Sequence, residues 1–266
     1  MKIKTIILFL FPLLAFVAFS AHVPFLKPNQ FVVLHNRFQV ESSFTEDPFQ
    51  ADFAMHAPVY YLIDPHGDQS TIAPAAKTSA AVYLEPLIAD SGTYRIHAAP
   101  RKGPQYRGVE TEDGKKYFSD DTLRVAGKKI TLQYFSSADT YVCKGKPDYT
   151  PTPLNHGVEI IPLSPPNALK VGEPVNFRVL RDGQAVAHAR MVVAYDNEHY
   201  VLDNPVDLYD VENQRRNNVF ADGDGLCTFI PEKPGLVLLF VTIHENIGSN
   251  RWESHNNSLT LEIRGR

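Results

Sequence analysis

From residue 22 onward the chain repeats one local pattern: short runs with an apolar side chain at every second position, cut by Pro, Gly and Asp. Period two is the repeat of a strand, whereas a helix needs apolar residues every three or four positions. Almost no segment after residue 21 offers the helical spacing. In RFQVESSF (37–44), Phe38, Val40 and Phe44 fall on one face, with Gln39, Glu41 and Ser43 on the other. In VNFRVLRDG (175–183), Val175, Phe177 and Val179 alternate with Asn176 and Arg178, and Arg181-Asp182-Gly183 then predicts a tight hairpin turn. Further strands are expected over 59–64, 80–85, 93–98, 130–135, 189–195, 226–230, 236–243 and 258–263. Short strands at this spacing predict an all-β chain built as two tandem immunoglobulin-like β-sandwiches rather than a parallel α/β sheet.

The pattern loses its apolar content in KGKPDYTPTPLNHG, so 144–156 is expected to link a first domain over 21–143 to a second over 157–266. The stretch 101–129 is charged and poor in aliphatics, and is expected to be a surface excursion of the first domain.

Residues 1–20 read as a cleaved signal peptide. Lys2 and Lys4 precede the apolar stretch 6–19, which is interrupted by Pro12 and shorter than the roughly 20 residues that span a bilayer. Ala18 and Ser20 suit a cut that leaves Ala21 as the new N-terminus, and no Cys follows for lipid attachment. The expected location is the periplasm, with no membrane span after cleavage. Loss of Lys2 and Lys4 takes the formal charge from −4 to −6. No basic stripe remains to neutralise phosphates, which excludes nucleic acid as a partner. Cys143 and Cys227 have two readings: a disulfide, worth about 4 kcal/mol in the chain-entropy picture, or two separate buried thiols.

The chemistry is expected at the mature N-terminus. A free α-amine on Ala21, the next backbone nitrogen and the His22 imidazole can chelate Ni(II) or Cu(II). Such a chelate needs further ligands, and His56, His97 and Glu46 are the candidates. His97 shares a strand face with Arg95, opposite Tyr94 and Ile96, and is therefore expected to point away from the core. His244-Glu245 lacks the second His of a zinc-protease helix, because Gly248 stands there. ADGDG (221–225) is a turn and lacks the later ligands of a calcium loop. No nucleophile elbow, phosphate loop or dinucleotide fingerprint occurs, so no enzymatic activity is expected.

AHVPFLKPNQF (21–31), SSFTEDPF (42–49), ADFAM (51–55), YYLIDPHG (60–67), GTYRI (92–96) and ITLQYFSSADTYVCKGKP (130–147) resemble a bacterial periplasmic family of unknown function. That family is often identified with a NikM-like component of nickel or cobalt uptake. Residues 157–193 and 221–241 resemble its C-terminal sandwich, which is similar to transthyretin-like and carboxypeptidase-regulatory-like modules. The resemblance implies an exported protein that binds or delivers Ni, Co or Cu, with a membrane metal-uptake system or another envelope protein as partner. The alternative is an interaction module that binds a protein or glycan without metal.

Overall fold

The structure, a computed structural model, describes residues 22–114, 116–118, 125–196, 198 and 217–265. Residues 1–21, which include the expected signal peptide and Ala21, lie outside them. Every named element is a strand, arranged in three sheets. A five-stranded sheet runs β1 (Val23–Pro28), β3 (Val40–Thr45), β8 (Val82–Leu84), β7 (Pro74–Lys77), with β4 (Phe53–Ala54) paired to β3. A ten-stranded sheet runs β16 (Val219–Phe220), β15 (Arg190–Tyr195), β18 (Gly235–Asn246), β19 (Arg251–Ile263), β11 (Lys128–Lys144), β9 (Gly92–Glu110), β5 (Tyr60–Ile63), β6 (Gln69–Ile72). There β10 (Lys116–Phe118) pairs with β9, and β2 (Val32–Val33) with β11. A four-stranded sheet joins β12 (Val158–Pro162), β13 (Val175–Arg181), β14 (Gln184–Ala185) and β17 (Leu226–Phe229). No helix of the described residues is long and apolar enough to cross a membrane.

The expected all-β sandwich architecture is present, and the long sheet serves both sandwiches. One face of β5, β9 and β11 (Tyr60, Leu62, Tyr94, Ile96, Ala98, Ala138, Val142) packs on Val40, Phe44, Val82 and Leu84 of the five-stranded sheet. At the other end, Met191, Val193, Tyr195, Leu239 and Leu261 pack on Ile160, Phe177, Val179 and Phe229 of the four-stranded sheet. Val192, Ala194, Leu238 and Phe240 point the opposite way and meet Val23, Phe25 and Phe49. Strand β1 thus faces two cores, with Leu26 in the first sandwich and Phe25 against the strands of the second. The halves are stitched by a parallel ladder that pairs Thr131–Thr140 with Arg251–Thr260.

Strand β13 buries Val175, Phe177 and Val179 and exposes Asn176 and Arg178, as its alternation predicts. The turn after it places Asp182 at φ 48° and Gly183 at φ 78°, the two positive angles of a hairpin turn. Strand β3 departs from expectation. Ser42 and Ser43 are fully buried, and their hydroxyls are satisfied there: Ser42 Oγ donates to the Met55 carbonyl at 3.2 Å, and Ser43 Oγ reaches the Phe53 and Ala80 carbonyls at 2.9 and 2.6 Å. The stretch expected as a surface excursion over 101–129 starts and ends as a paired ribbon: β9 continues to Glu110 and β11 begins at Lys128, with Lys102, Pro104, Gln105 and Arg107 exposed. Cys143 and Cys227 are separate buried thiols.

Candidate functional site

Antiparallel pairing of β1 with β3 sets Val23 opposite Thr45, which carries His22 to the side of Glu46. The following loop folds back, and the Glu46 amide donates to Asp52 Oδ2 at 2.7 Å. His22 Nε2 therefore lies 3.2 Å from Glu46 Oε1 and 3.6 Å from Asp52 Oδ2, with its ring against Phe53 at 4.7 Å between centroids. The imidazole remains 23% exposed. A protonated ring here makes ion pairs, while a neutral one offers a nitrogen beside two carboxylates, a donor set that suits a divalent transition metal. His22 and Glu46 are thus brought together, and Asp52 joins them although the sequence did not single it out.

The other two histidines do not join this group. His56 is exposed on the turn after Met55 and has no hydrogen-bond or ion-pair partner among the described residues. His97 is 3% exposed, so the expectation that it faces solvent is corrected. The polar face of β9 is covered by the second half of the chain. Pairing of β9 with β11 sets His97 opposite Asp139, and Nδ1 lies 2.9 Å from Asp139 Oδ1.

Around that contact a buried charged network assembles. Arg95 Nε donates to Asp139 Oδ1 at 2.7 Å and Nη1 to Glu159 Oε2 at 2.9 Å. Asn257 Nδ2 donates to Asp139 Oδ2 at 2.8 Å. The amides of Leu154 and Asn155 close on Glu159 at 2.9 and 2.8 Å. Burial alone would raise the Asp139 carboxyl, but the Arg95 and His97 charges outweigh it and hold the group well below the usual carboxylate range.

Arg95 also forms the floor of a small open cleft of about 20 Å³, room for about one water. Thr93 and Tyr141 share that floor, with Asp64, Asp148, Tyr149 and Thr150 among the residues around it. The Arg95 side chain is 4% exposed, and its Nη2 has no hydrogen-bond partner.

Two further features escaped the sequence. Glu245, Glu253 and His255 bring three ligand atoms within 4.8 Å of one another. Glu245 and Glu253 are direct cross-strand partners in β18 and β19, a relation that no sequence spacing reveals. The Arg181 guanidinium already fills the centre, donating to Glu245 at 2.8 and 3.1 Å and reaching His255 Nε2 at 3.1 Å. Leu34 and Leu87 are 77% and 80% exposed. Each follows or precedes a buried anchor, Val33 or Ile88. The Lys144 ammonium ties their loops together through Asn36 Oδ1 at 2.7 Å and the Ile88 and Ala89 carbonyls at 3.2 and 2.6 Å.

No curated protein matches this sequence. Among solved structures, the D00-D0 domain of intimin aligns at 12% identity over 90% of this chain and 99% of that one, with a TM-score of 0.21. The D0-D1 domain of intimin aligns at 8% over 90% and 96%, TM-score 0.21. A Ca2+-stabilized adhesin of an ice-binding Antarctic bacterium aligns at 10% over 93% and 75%, TM-score 0.22. Likeness of this degree assigns no function. The sequence itself matches one family along residues 19–245, and on that match the chain belongs to the family defined by the domain of unknown function DUF4198.

Proposed function

We propose that the chain is an exported protein of the cell envelope that acts by binding, as an interaction module, and not by catalysis. The observation that carries this reading is the exposure of Leu34 and Leu87 on two loops that Lys144 joins. Two leucines held almost fully in water on loops braced by Lys144 gain nothing for the fold. Covering both would recover about 1.5–3 kcal/mol for each side chain, which favours a protein partner with an apolar socket. Serine at both positions is expected to leave the thermal midpoint unchanged and to abolish the complex isolated from native envelopes at matched expression. Recovery of the same complex from the serine variant would contradict the reading.

A second reading rests on a different observation, the approach of His22 Nε2 to both Glu46 and Asp52. With the Ala21 amine released by signal cleavage, these groups supply nitrogen and oxygen donors for Ni, Co or Cu. The NikM-like resemblance supports this reading and points to a membrane metal-uptake system as the partner. Calorimetry with Ni(II) and Cu(II) on the mature protein is expected to give one site, weakened in His22→Ala and in an N-terminally blocked form. Equal affinity in all three forms excludes it.

A further inference from the structure

The outer part of the ten-stranded sheet gathers cations that lie far apart in sequence. Thr131 of β11 is the direct partner of Arg107 in β9 on one side and of Arg251 in β19 on the other. Residues paired across neighbouring strands project from the same face, so the two arginines flank the Thr131 hydroxyl. Lys129 stands two positions before Thr131 and shares that face, because the intervening Ile130 is buried on the opposite one. Arg251 is fixed by the turn before it. Ser249 and Asn250 take φ of 51° and 62°, the Arg251 amide donates to the Gly248 carbonyl at 2.9 Å, and the Thr131 amide donates to the Asn250 carbonyl at 3.0 Å. Arg107, Lys129 and Arg251 are all exposed. Among the described residues none of the three charges, nor the Thr131 hydroxyl, has a hydrogen-bond or ion-pair partner. Glu253 lies two residues beyond Arg251 on the same face, but His255 already engages it at 3.0 Å.

Adjacent strands lie about 4.8 Å apart, so the backbones of Arg107 and Arg251 are separated by about 10 Å. Two long guanidinium side chains on that base reach one group seated above Thr131. Each guanidinium offers a planar fork of donors that matches phosphate oxygens, the hydroxyl adds a donor between them, and Lys129 adds a point charge. Three gathered positive charges repel one another until an anion offsets them. A carboxylate carries one charge and two oxygens, which leaves part of this donor set unused. A phosphomonoester carries close to two charges and three acceptor oxygens, and uses all of it. We propose that Arg107, Thr131 and Arg251, with Lys129 beside them, bind one phosphomonoester group. Two sources supply that chemistry, a soluble phosphate or the headgroup of an anionic lipid.

The test has two arms on the full mature protein: amide-shift titration with inorganic phosphate, against acetate at equal ionic strength, and sedimentation with phosphatidylcholine vesicles that contain phosphatidic acid. A saturable shift at Arg107, Thr131, Arg251 and their neighbours is expected with phosphate. Arg107→Gln with Arg251→Gln, both exposed substitutions, is expected to keep the thermal midpoint and to weaken phosphate about tenfold, the loss of two charge-assisted contacts at a surface. Cosedimentation that the double substitution removes supports a lipid source, and phosphate shifts without cosedimentation support a soluble one. Absence of both a saturable shift and cosedimentation overturns the proposal. Unchanged binding in the double variant, or acetate bound as tightly as phosphate, overturns it as well. Serine at positions 34 and 87, or His22→Ala, is expected to leave phosphate binding intact, so failure here is distinguishable from failure of either reading above.

Discussion

Arg95, Asp139 and Glu159 show what single residues do in this chain. Each is almost fully buried, and Arg95 ties the other two together across more than forty residues of sequence, although its Nη2 keeps no partner. Removing one partner strands a charge, so Arg95→Ala is expected to lower unfolding free energy by about 3–5 kcal/mol in urea titrations. The sign of the pH dependence follows from Asp139, whose folded carboxyl lies below its ordinary range. Its contribution is present above the unfolded value of about 4 and is lost as pH falls further toward the folded one. Urea midpoints are therefore expected to drop between pH 5 and pH 3 more steeply in the native protein than in Asp139→Asn; parallel profiles would contradict this. None of this was legible in the sequence. Alternation in TYRIHA correctly separates Tyr94 and Ile96 from Arg95 and His97. What it cannot show is that the second half of the chain covers the polar face. The meeting of His22 with Glu46 was foreseeable only as two possible ligands, and Asp52 depended on the loop's return.

At the scale of elements, turns and alternating strands were readable, and long polar ribbons were not. The Asp182-Gly183 turn is the clearest success, because the residues themselves demand positive φ. Gly183→Ala is expected to cost about 1–2 kcal/mol, from the φ of 78° and a Cβ brought 2.8 Å from Asn155 Oδ1. A urea midpoint equal to that of the native protein would contradict the assignment. The outer half of β9 failed to show because Pro100 to Arg107 have no face that is consistently buried. Backbone pairing with β11 holds that stretch, and hydrophobic patterning carries no trace of it. Strand β1 is a related case. Val23 and Phe25 bury against one half of the molecule and Leu26 against the other, so its apolar run has no single period.

Across the whole molecule, the ten-stranded sheet makes the two sandwiches share strands. The parallel ladder between β11 and β19 and the seat of β1 on β15 and β18 tie residues distant in sequence. Even the Pro-rich stretch 144–156 contributes, through the Thr152 carbonyl near Arg95 and the Leu154 and Asn155 amides on Glu159. Calorimetry is expected to show one cooperative transition, with equal calorimetric and van't Hoff enthalpies; two resolved transitions would contradict a shared sheet. Such a body presents the Leu34 and Leu87 loops and the His22 cluster on one shared frame of strands, which suits binding. The central proposal is that the loops carrying Leu34 and Leu87 meet a protein. A photo-crosslinking residue placed at position 87, and at the exposed position 77 as a control, tests it in intact cells. One discrete protein adduct from position 87 and none from position 77 is the predicted result. Indistinguishable patterns from the two positions would contradict it.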